Sequence, residues 1–416
     1  MYRFIRLTLV ICIAGAVIRN PANARWRPVQ NFNSAVDCIA AAESLCYAGG
    51  NGVRLARSID SRWVNVTNNL NGLNFHSFLL LKSPLDSNRT VVFAATDRGV
   101  YRSFDDGGNW IADDSGLTRR DISSLAVIDS MLFAGGSDGG VFRSTDYGAT
   151  WNEKDTLLIK EQIWALAALD TLLFAGSPER GIYRSTDRGE AWAGANGGLT
   201  NRRVIALAGV GPNLFAGTQF GGAFFSSNRG LSWSPISHGF PASEFTLVNN
   251  FASKDTNIFA ATALGVFLFD AFDSTWRDVS DGLDFPDNDI LCLAVFQNYL
   301  FAGEFYGHVW RRPLSEILLG VNENRRALPE HFALDQNYPN PFNPTTTIRY
   351  QLPEAEKVEL TICNVWGQEI AVLVNGFQSA GYKEVNYNAG NLGAGVYVCR
   401  LTAGKRTEVR KLLLMK

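Results

Sequence analysis

RSTDYGATW, from Arg143 to Trp151, returns as RSTDRGEAW at Arg184 to Trp192. Looser copies read RSFDDGGNW at Arg102 to Trp110 and FSSNRGLSW at Phe225 to Trp233. The stretch has the chemistry of a turn. Ser144 and Asp146 carry short polar side chains that bond nearby backbone N–H groups. Gly148 can take a positive φ at no steric cost. Trp151 is large enough to return into a core. A turn that recurs at a fixed period announces a repeat architecture.

A second motif marks the period. Tyr47-Ala48-Gly49, Phe93-Ala94-Ala95, Phe133-Ala134-Gly135, Phe174-Ala175-Gly176, Phe215-Ala216-Gly217, Phe259-Ala260-Ala261 and Phe301-Ala302-Gly303 follow one another at spacings of 46, 40, 41, 41, 44 and 42 residues. Within each unit an apolar run such as Leu125–Ile128 ends at a polar turn. A second run, Met131–Ala134, follows directly, then a Gly-bearing loop and a third run, Gly140–Arg143. The nonapeptide makes the next turn and Trp151 opens a fourth strand. Four short strands in about 41 residues, seven times over, predict an all-β chain with a seven-bladed β-propeller. A solenoid is the alternative, and antiparallel strands favour radial blades. The seventh unit stops at Arg312 without a fourth strand, while Trp26-Arg27-Pro28-Val29 stands ahead of the first unit with none of its own. The N-terminal piece is expected to complete blade seven and leave no open edge.

The pattern Ser-x-Asp-x-Gly-x-x-Trp resembles the Asp-box of sialidases and related propellers. Ser103, Asp105, Gly107 and Trp110 match it, as do Ser144, Asp146, Gly148, Trp151 and Ser185, Asp187, Gly189, Trp192. The copy at Ser226 carries Asn228; the unit at Trp276 keeps only the tryptophan, and that at Trp63 keeps Ser58 and Asp60. The resemblance implies that these residues are structural, at a turn between strands three and four and away from any active centre. The repeat also resembles the seven-bladed assembly factor of photosystem II and the sortilin propeller, which are binding proteins.

Net charge is −2 and no Lys/Arg-rich run stands out, so nucleic acid is not an expected partner. Arg3 and Arg6, the apolar run Leu7–Ile18 and Ala22-Asn23-Ala24 read as a signal peptide over residues 1–24. A lipoprotein signal at Cys12 is the rival, disfavoured by the bulky Ile11. No later run is long and apolar enough for a transmembrane segment, which predicts an exported, soluble mature chain. Five cysteines remain, Cys38, Cys46, Cys292, Cys363 and Cys399, an odd number with no Cys-x-x-Cys pair. No metal site and no cofactor are expected; Cys363 and Cys399 are the pair that could bridge.

The propeller is expected over 25–313, a linker over 314–333 and a second domain over 334–416. In the latter, Val358–Ile362, Glu369–Leu373, Gly395–Val398 and Val409–Lys416 alternate as short strands of a small Ig-like β-sandwich. Asn337-Tyr338-Pro339-Asn340-Pro341-Phe342-Asn343-Pro344, Gly367, Gly395-Val396-Tyr397 and the basic-apolar end Lys411–Lys416 closely resemble the type A sorting domain of the type IX secretion system. A hook-capping β-domain is the weaker rival. The sorting resemblance implies periplasmic transit, passage across the outer membrane with the type IX machinery as partner, and a surface or extracellular destination.

In an antiparallel four-stranded blade the loops between strands two and three share a face with the inter-blade loops. That face varies between units while the frame does not, so it is the candidate binding surface for a protein, peptide or glycan. Its candidates are Arg98, Arg119, Arg120, Glu161, Arg180, Arg202, Arg203, Phe220, Phe305 and Tyr306. Non-catalytic recognition is the expected function. The alternative is a secreted glycoside hydrolase using carboxylates among Asp121, Glu161, Glu179, Asp287 and Asp289. A sialidase site is disfavoured, because Arg-Ile-Pro is absent and Arg102, Arg143 and Arg184 are repeat positions. No catalytic residue is assigned.

Overall fold

A computed structural model describes residues 25–415 apart from 43, 57–61, 84, 85, 87, 88, 154–156, 242–245, 272, 273, 284–288, 324–328, 330, 379 and 391. The signal-peptide stretch, Ser58, Asp60 and Asp287 lie outside the described residues. The chain is almost wholly β. Seven four-stranded antiparallel sheets, hereafter blades, account for residues 27–313. Blade three is representative: Ile122–Ile128, Met131–Gly136, Val141–Ser144 and Asn152–Glu153 pair in order, with Phe133 opposite Arg143.

The first strand of each blade lies innermost and neighbours the first strand of the next, and Ile290–Phe296 of blade seven returns to Val36–Ala42 of blade one. The core is divided into seven buried clusters, one at each blade junction. Phe93, Ile122, Leu132 and Trp151 fill that between blades two and three; Val36, Cys46, Trp63, Cys292 and Phe301 fill that between blades seven and one. This arrangement explains the aromatic-Ala-Gly column. The aromatic fills one junction, and the small residues admit the neighbouring strand: a Cβ on Gly217 would fall 2.7 Å from Val248 Cγ1.

The ring closes as the stray N-terminal piece requires. Arg27–Asn31 pairs antiparallel with His308–Pro313 as the outermost strand of blade seven. Trp26 is buried with Phe259, Val266 and Trp310 between blades six and seven. The stretch read as a linker holds a helix, Leu314–Glu323, whose Leu314 and Ile317 join that same cluster. Its first turn places these two apolar residues three apart on one face, a spacing overlooked among the surrounding charges.

The C-terminal residues form two sheets. One orders Ala333–Leu334, Thr345–Leu352 and Gly381–Asn388; the other orders Glu369–Gln378, Glu356–Cys363, Gly395–Ala403 and Arg406–Leu414. They enclose one core that includes Phe342, Ile348, Tyr350, Leu360, Ile362, Leu401 and Leu412. Cys363 and Cys399 do not bridge; all five described cysteines are buried free thiols. Register is the reason. Cys399 sits opposite Ile362 and Cys363 opposite Val398, so the two side chains leave opposite faces of the sheet.

Candidate functional site

Each nonapeptide turn is built by its own serine and aspartate. Ser144 Oγ donates to Asp146 Oδ1 at 2.8 Å and accepts the Gly148 N–H at 2.8 Å; Asp146 Oδ1 also accepts the Thr150 N–H at 2.8 Å. Gly148 has φ +90°. Ser103 and Asp105, and Ser185 and Asp187, repeat the arrangement, and Asn228 performs the acceptor role in blade five. Burial pushes the Asp105 carboxyl up, but its several hydrogen bonds together outweigh that and hold it below the usual aspartate range; hydrogen bonds led by those from Thr150 and from the Ala191 N–H likewise hold Asp146 and Asp187 down against burial. The tryptophans then link blades. Trp110 Nε1 donates to Val66 O, Trp151 to Asp113 O, Trp233 to Ala195 O and Trp276 to Ile236 O, always three residues past the tryptophan of the preceding blade. The serine hydroxyls and the aspartate or asparagine side chains of these turns are thus engaged in bonds within the turn itself.

The opposite face is assembled from two loop sets that bond each other. Asp97 N–H donates to Asn74 O, Ser137 to Asp121 O, Gln219 to Arg203 O and Phe305 to Asp289 O. Most of the charged candidates here are already engaged. Arg119 pairs with Glu153 at 2.8 Å, Arg120 with Asp114 at 3.1 Å and Arg180 with Glu161 at 3.0 Å. Of the carboxylates weighed for glycoside chemistry, Glu161 is held by Arg180, Asp289 accepts from Asn249 Nδ2 at 3.1 Å and Asp121 lies 3.6 Å from His76. Glu179 is exposed. Arg98, Arg202 and Arg203 are exposed, and none has a carboxylate partner among the described residues. Arg203 donates to Gln219 Oε1 at 3.3 Å.

The aromatic candidates fare differently. Phe220, Phe305 and Tyr306 are 49%, 46% and 51% exposed at the tips of the blade-five and blade-seven loops, and Leu264 is exposed on the blade-six loop between them. The Phe305 and Tyr306 rings meet edge to face at 5.4 Å. Blades two to four carry Asp97-Arg98, Ser137-Asp138 and Pro178-Glu179-Arg180 at the same place. The loops between strands two and three thus present exposed apolar side chains in blades five to seven and charged ones in blades two to four.

Sequence reasoning missed one feature of this face and assigned a second, Glu304, to the loop between strands two and three. A β-bulge near the start of the innermost strand recurs in six blades, at Asp37, His76, Ser123, Ile205, Asn249 and Leu291. Bulges re-aim side chains, and some of these reach the next blade: Ser123 Oγ donates to Ile163 O, and Asn249 Nδ2 to Ile290 O at 2.8 Å. The partly buried Trp164 precedes the corresponding strand of blade four. A one-residue bulge leaves the apolar alternation too little changed to detect.

The second feature is Glu304, buried at the end of the second strand of blade seven. Its Oε2 accepts Trp310 Nε1 at 3.0 Å and its Oε1 lies 2.6 Å from His308 Nδ1, while His308 Nε2 is 2.8 Å from Asn31 Nδ2 on the closing strand. The other blades have Gly50, Thr96, Gly136, Ser177, Thr218 and Thr262 there. One carboxylate in a column of small residues was the available signal.

Of the repeated strand-three arginines, Arg102 lies against Asp113, Nε to Oδ2 at 2.7 Å, and Arg143 against Glu190 at 2.5 Å. Burial pushes the Asp113 carboxyl up to about 6 despite Arg102. Among the described residues no group of three or more His, Cys, Asp or Glu side chains is placed to hold a metal ion. A depression of about 320 Å³ bounded by Arg184, Asp187, Trp192 and Leu231 lies among the nonapeptide turns, away from the loop face.

Residues 336–415 match the secretion system C-terminal sorting domain. That tail marks the chain for export to the cell surface or beyond and implies an encounter with the type IX machinery. No helix among the described residues is long and apolar enough to cross a membrane. No curated protein matches the chain. Among solved structures it is similar to PorZ, an essential surface component of the type IX secretion system of Porphyromonas gingivalis, at 16% identity and TM-score 0.53, covering 93% of this chain and 60% of PorZ. YCF48 bound to D1 peptide is similar at 15% identity and TM-score 0.53, covering 72% and 98%. A GH74 xyloglucanase from Xanthomonas campestris is similar at 17% identity and TM-score 0.53, covering 79% and 60%. The chain thus spans about three fifths of PorZ and of the xyloglucanase. At these identities the likeness establishes the propeller-like fold.

Proposed function

We propose that this chain is an exported recognition propeller of the Asp-box kind, which binds a polypeptide partner on its loop face without catalysis. The observation that carries the reading is the exposed Phe305–Tyr306 pair, continued by Leu264 and Phe220 across adjacent blades. Large apolar side chains exposed together at one face are favoured by a partner that covers them and by nothing in the isolated fold. The engaged state of Glu161 and Asp289 supports binding over glycoside hydrolysis, which needs one carboxyl free to protonate the leaving group and another to assist attack. YCF48, of similar fold, is seen with a peptide, and PorZ works at a bacterial surface.

The test is a parallel screen of the purified chain on a peptide array, a glycan array and chromogenic glycosides. Peptide binding lost in the Phe305→Ala/Tyr306→Ala double variant is expected. Turnover abolished by a single loop carboxylate substitution would replace this reading with the hydrolase.

A further inference from the structure

Phe220 breaks the repeat in two ways. Its φ is +65°, the left-handed region in which a bulky L side chain crowds its own backbone. It is the one non-glycine residue with positive φ in the described loops between strands two and three. Tyr147, with φ +61°, holds a position that Asp106, Arg188 and Arg229 also hold in their turns, so its conformation belongs to the repeat; that of Phe220 does not. The ring is also about half exposed. A strained backbone that carries an aromatic ring into water stabilises nothing in the isolated chain, and such outliers concentrate at ligand sites.

The loop is held in this shape from below. Asn201 Nδ2 donates to Gln219 O at 3.2 Å, Asn201 Oδ1 accepts the Arg203 N–H at 2.9 Å, and Gln219 N–H donates to Arg203 O at 2.8 Å. The two loops are so close that a Cβ on Gly221 would fall 2.3 Å from Asn201 Nδ2. Phe220, Arg202 and Arg203 are thereby fixed together at one tip.

We infer that this tip is the specificity-determining subsite of the loop face, and that it takes a peptide carboxylate adjoining an apolar side chain. The inference rests on the recognition reading above and names the chemistry of its partner. Arg202 and Arg203 are exposed and lack a carboxylate among the described residues, whereas Arg119, Arg120 and Arg180 each have one. Guanidinium groups beside an aromatic ring complement an anion attached to an apolar body. Asn201 Nδ2, Asn201 Oδ1 and Gln219 Oε1 already bond within the loops, which leaves the two guanidinium groups as the main polar recognition elements of the tip. Leu264, Phe305 and Tyr306 extend the apolar surface along the two following blades, the direction an extended peptide would run.

The experiment uses the purified full chain and an array of immobilised hexapeptides built from Leu, Phe, Asp, Asn and Lys in all orders. Peptides with adjoining acidic and apolar residues should bind, and Asp-to-Asn partners of the same peptides should bind about tenfold more weakly. Phe220→Gly and Arg202→Ala should each weaken binding about tenfold or more, while Lys254→Ala, at the exposed end of the first strand of blade six on the side of the nonapeptide turns, leaves it unchanged. Phe220→Gly should also melt at a higher temperature than the parent, so its loss of binding will not be a loss of fold. Binding that survives both substitutions, or that prefers Lys or Asn peptides, would overturn the subsite and leave the recognition reading standing. Binding of no peptide at all would overturn both. Capture of acidic oligosaccharides in place of peptides, abolished by the same substitutions, would overturn the assignment of a peptide.

Discussion

Trp26 Nε1 donates to the carbonyl of Val279 at 2.7 Å across 253 residues of sequence. The bond repeats the blade-to-blade tryptophan link of Trp110, Trp151, Trp233 and Trp276. It shows that the first strand of the described chain is the last piece of the last blade. Trp26→Ala should therefore destabilise the whole ring by about 3–5 kcal/mol, the usual result of emptying a buried aromatic site. Deleting residues 25–32 should do more, since it also removes a strand. Urea unfolding of both variants checks this; a truncated chain that unfolds like the parent would refute closure by this strand.

The nonapeptide turn needs an acceptor more than a charge. Asn228 already accepts from Ser226 Oγ and the Ser232 N–H in blade five. Asp146→Asn should accordingly cost little, and Asp146→Ala about 1–2 kcal/mol, because the Thr150 N–H and Ser144 Oγ lose their partner. The carboxyl is held below its ordinary range, so its stabilising contribution is present above the unfolded aspartate value and is lost as pH falls further. Acid titrations of stability should show a shallower decline for the asparagine variant.

Asp113 titrates with the opposite sign. Its carboxyl is raised to about 6 by burial, so its favourable contribution is complete below the unfolded aspartate value and is lost as pH rises through 6. Arg102 recovers part of that loss. The stability of Asp113→Asn relative to the parent should rise between about pH 4 and pH 7, where the parent ionises, by on the order of 1–2 kcal/mol. Chemical denaturation at several pH values measures the difference; a flat difference would show that Arg102 fully compensates the buried charge.

Glu304 ties the closing strand to blade seven through His308 and Trp310. Glu304→Ala takes the shared acceptor from both rings and should cost about 2–4 kcal/mol. Glu304→Gln retains an acceptor for Trp310 Nε1 and should cost less. Thermal melts of the two variants give the order.

The thiols should stay reduced. All five described cysteines are buried, and burial pushes the Cys399 thiol up to about 12. Thiolate, the reactive form, is then scarce. An Ellman assay on residues 25–416 should find almost no reaction in the native state and all five thiols after denaturation. A Cys363–Cys399 disulfide found by non-reducing peptide mapping would contradict the register of those two residues.

The repeat was legible because each unit is built by local contacts. The Ser144–Asp146–Gly148 turn and the Phe133-Ala134-Gly135 step use neighbours a few residues apart, so their chemistry is visible in one line of sequence. The strand at Arg27–Asn31 was legible for a related reason: blade seven lacked its fourth strand, and an unpaired piece stood at the other end. The strand Gly381–Asn388, with charged and amide residues between its apolar ones, gave too weak an alternation to be separated from a loop.

The partners of the loop side chains belong to another class. Arg119 meets Glu153 across 34 residues, and Arg202 and Arg203 meet no described carboxylate, although all three look alike in sequence. Which arginine is neutralised depends on how two loops from successive strands are brought side by side, and that is set by the ring. The same holds for Phe220: an aromatic residue before two glycines announces a loop, but its positive φ and the close packing of Gly221 on Asn201 are set by how the two loops meet. Sequence by itself determined the period, the strand count of each blade and the tail. Tertiary structure decided which side chains remain unengaged, because ion pairing and backbone strain depend on distances between segments that the chain brings together only on folding.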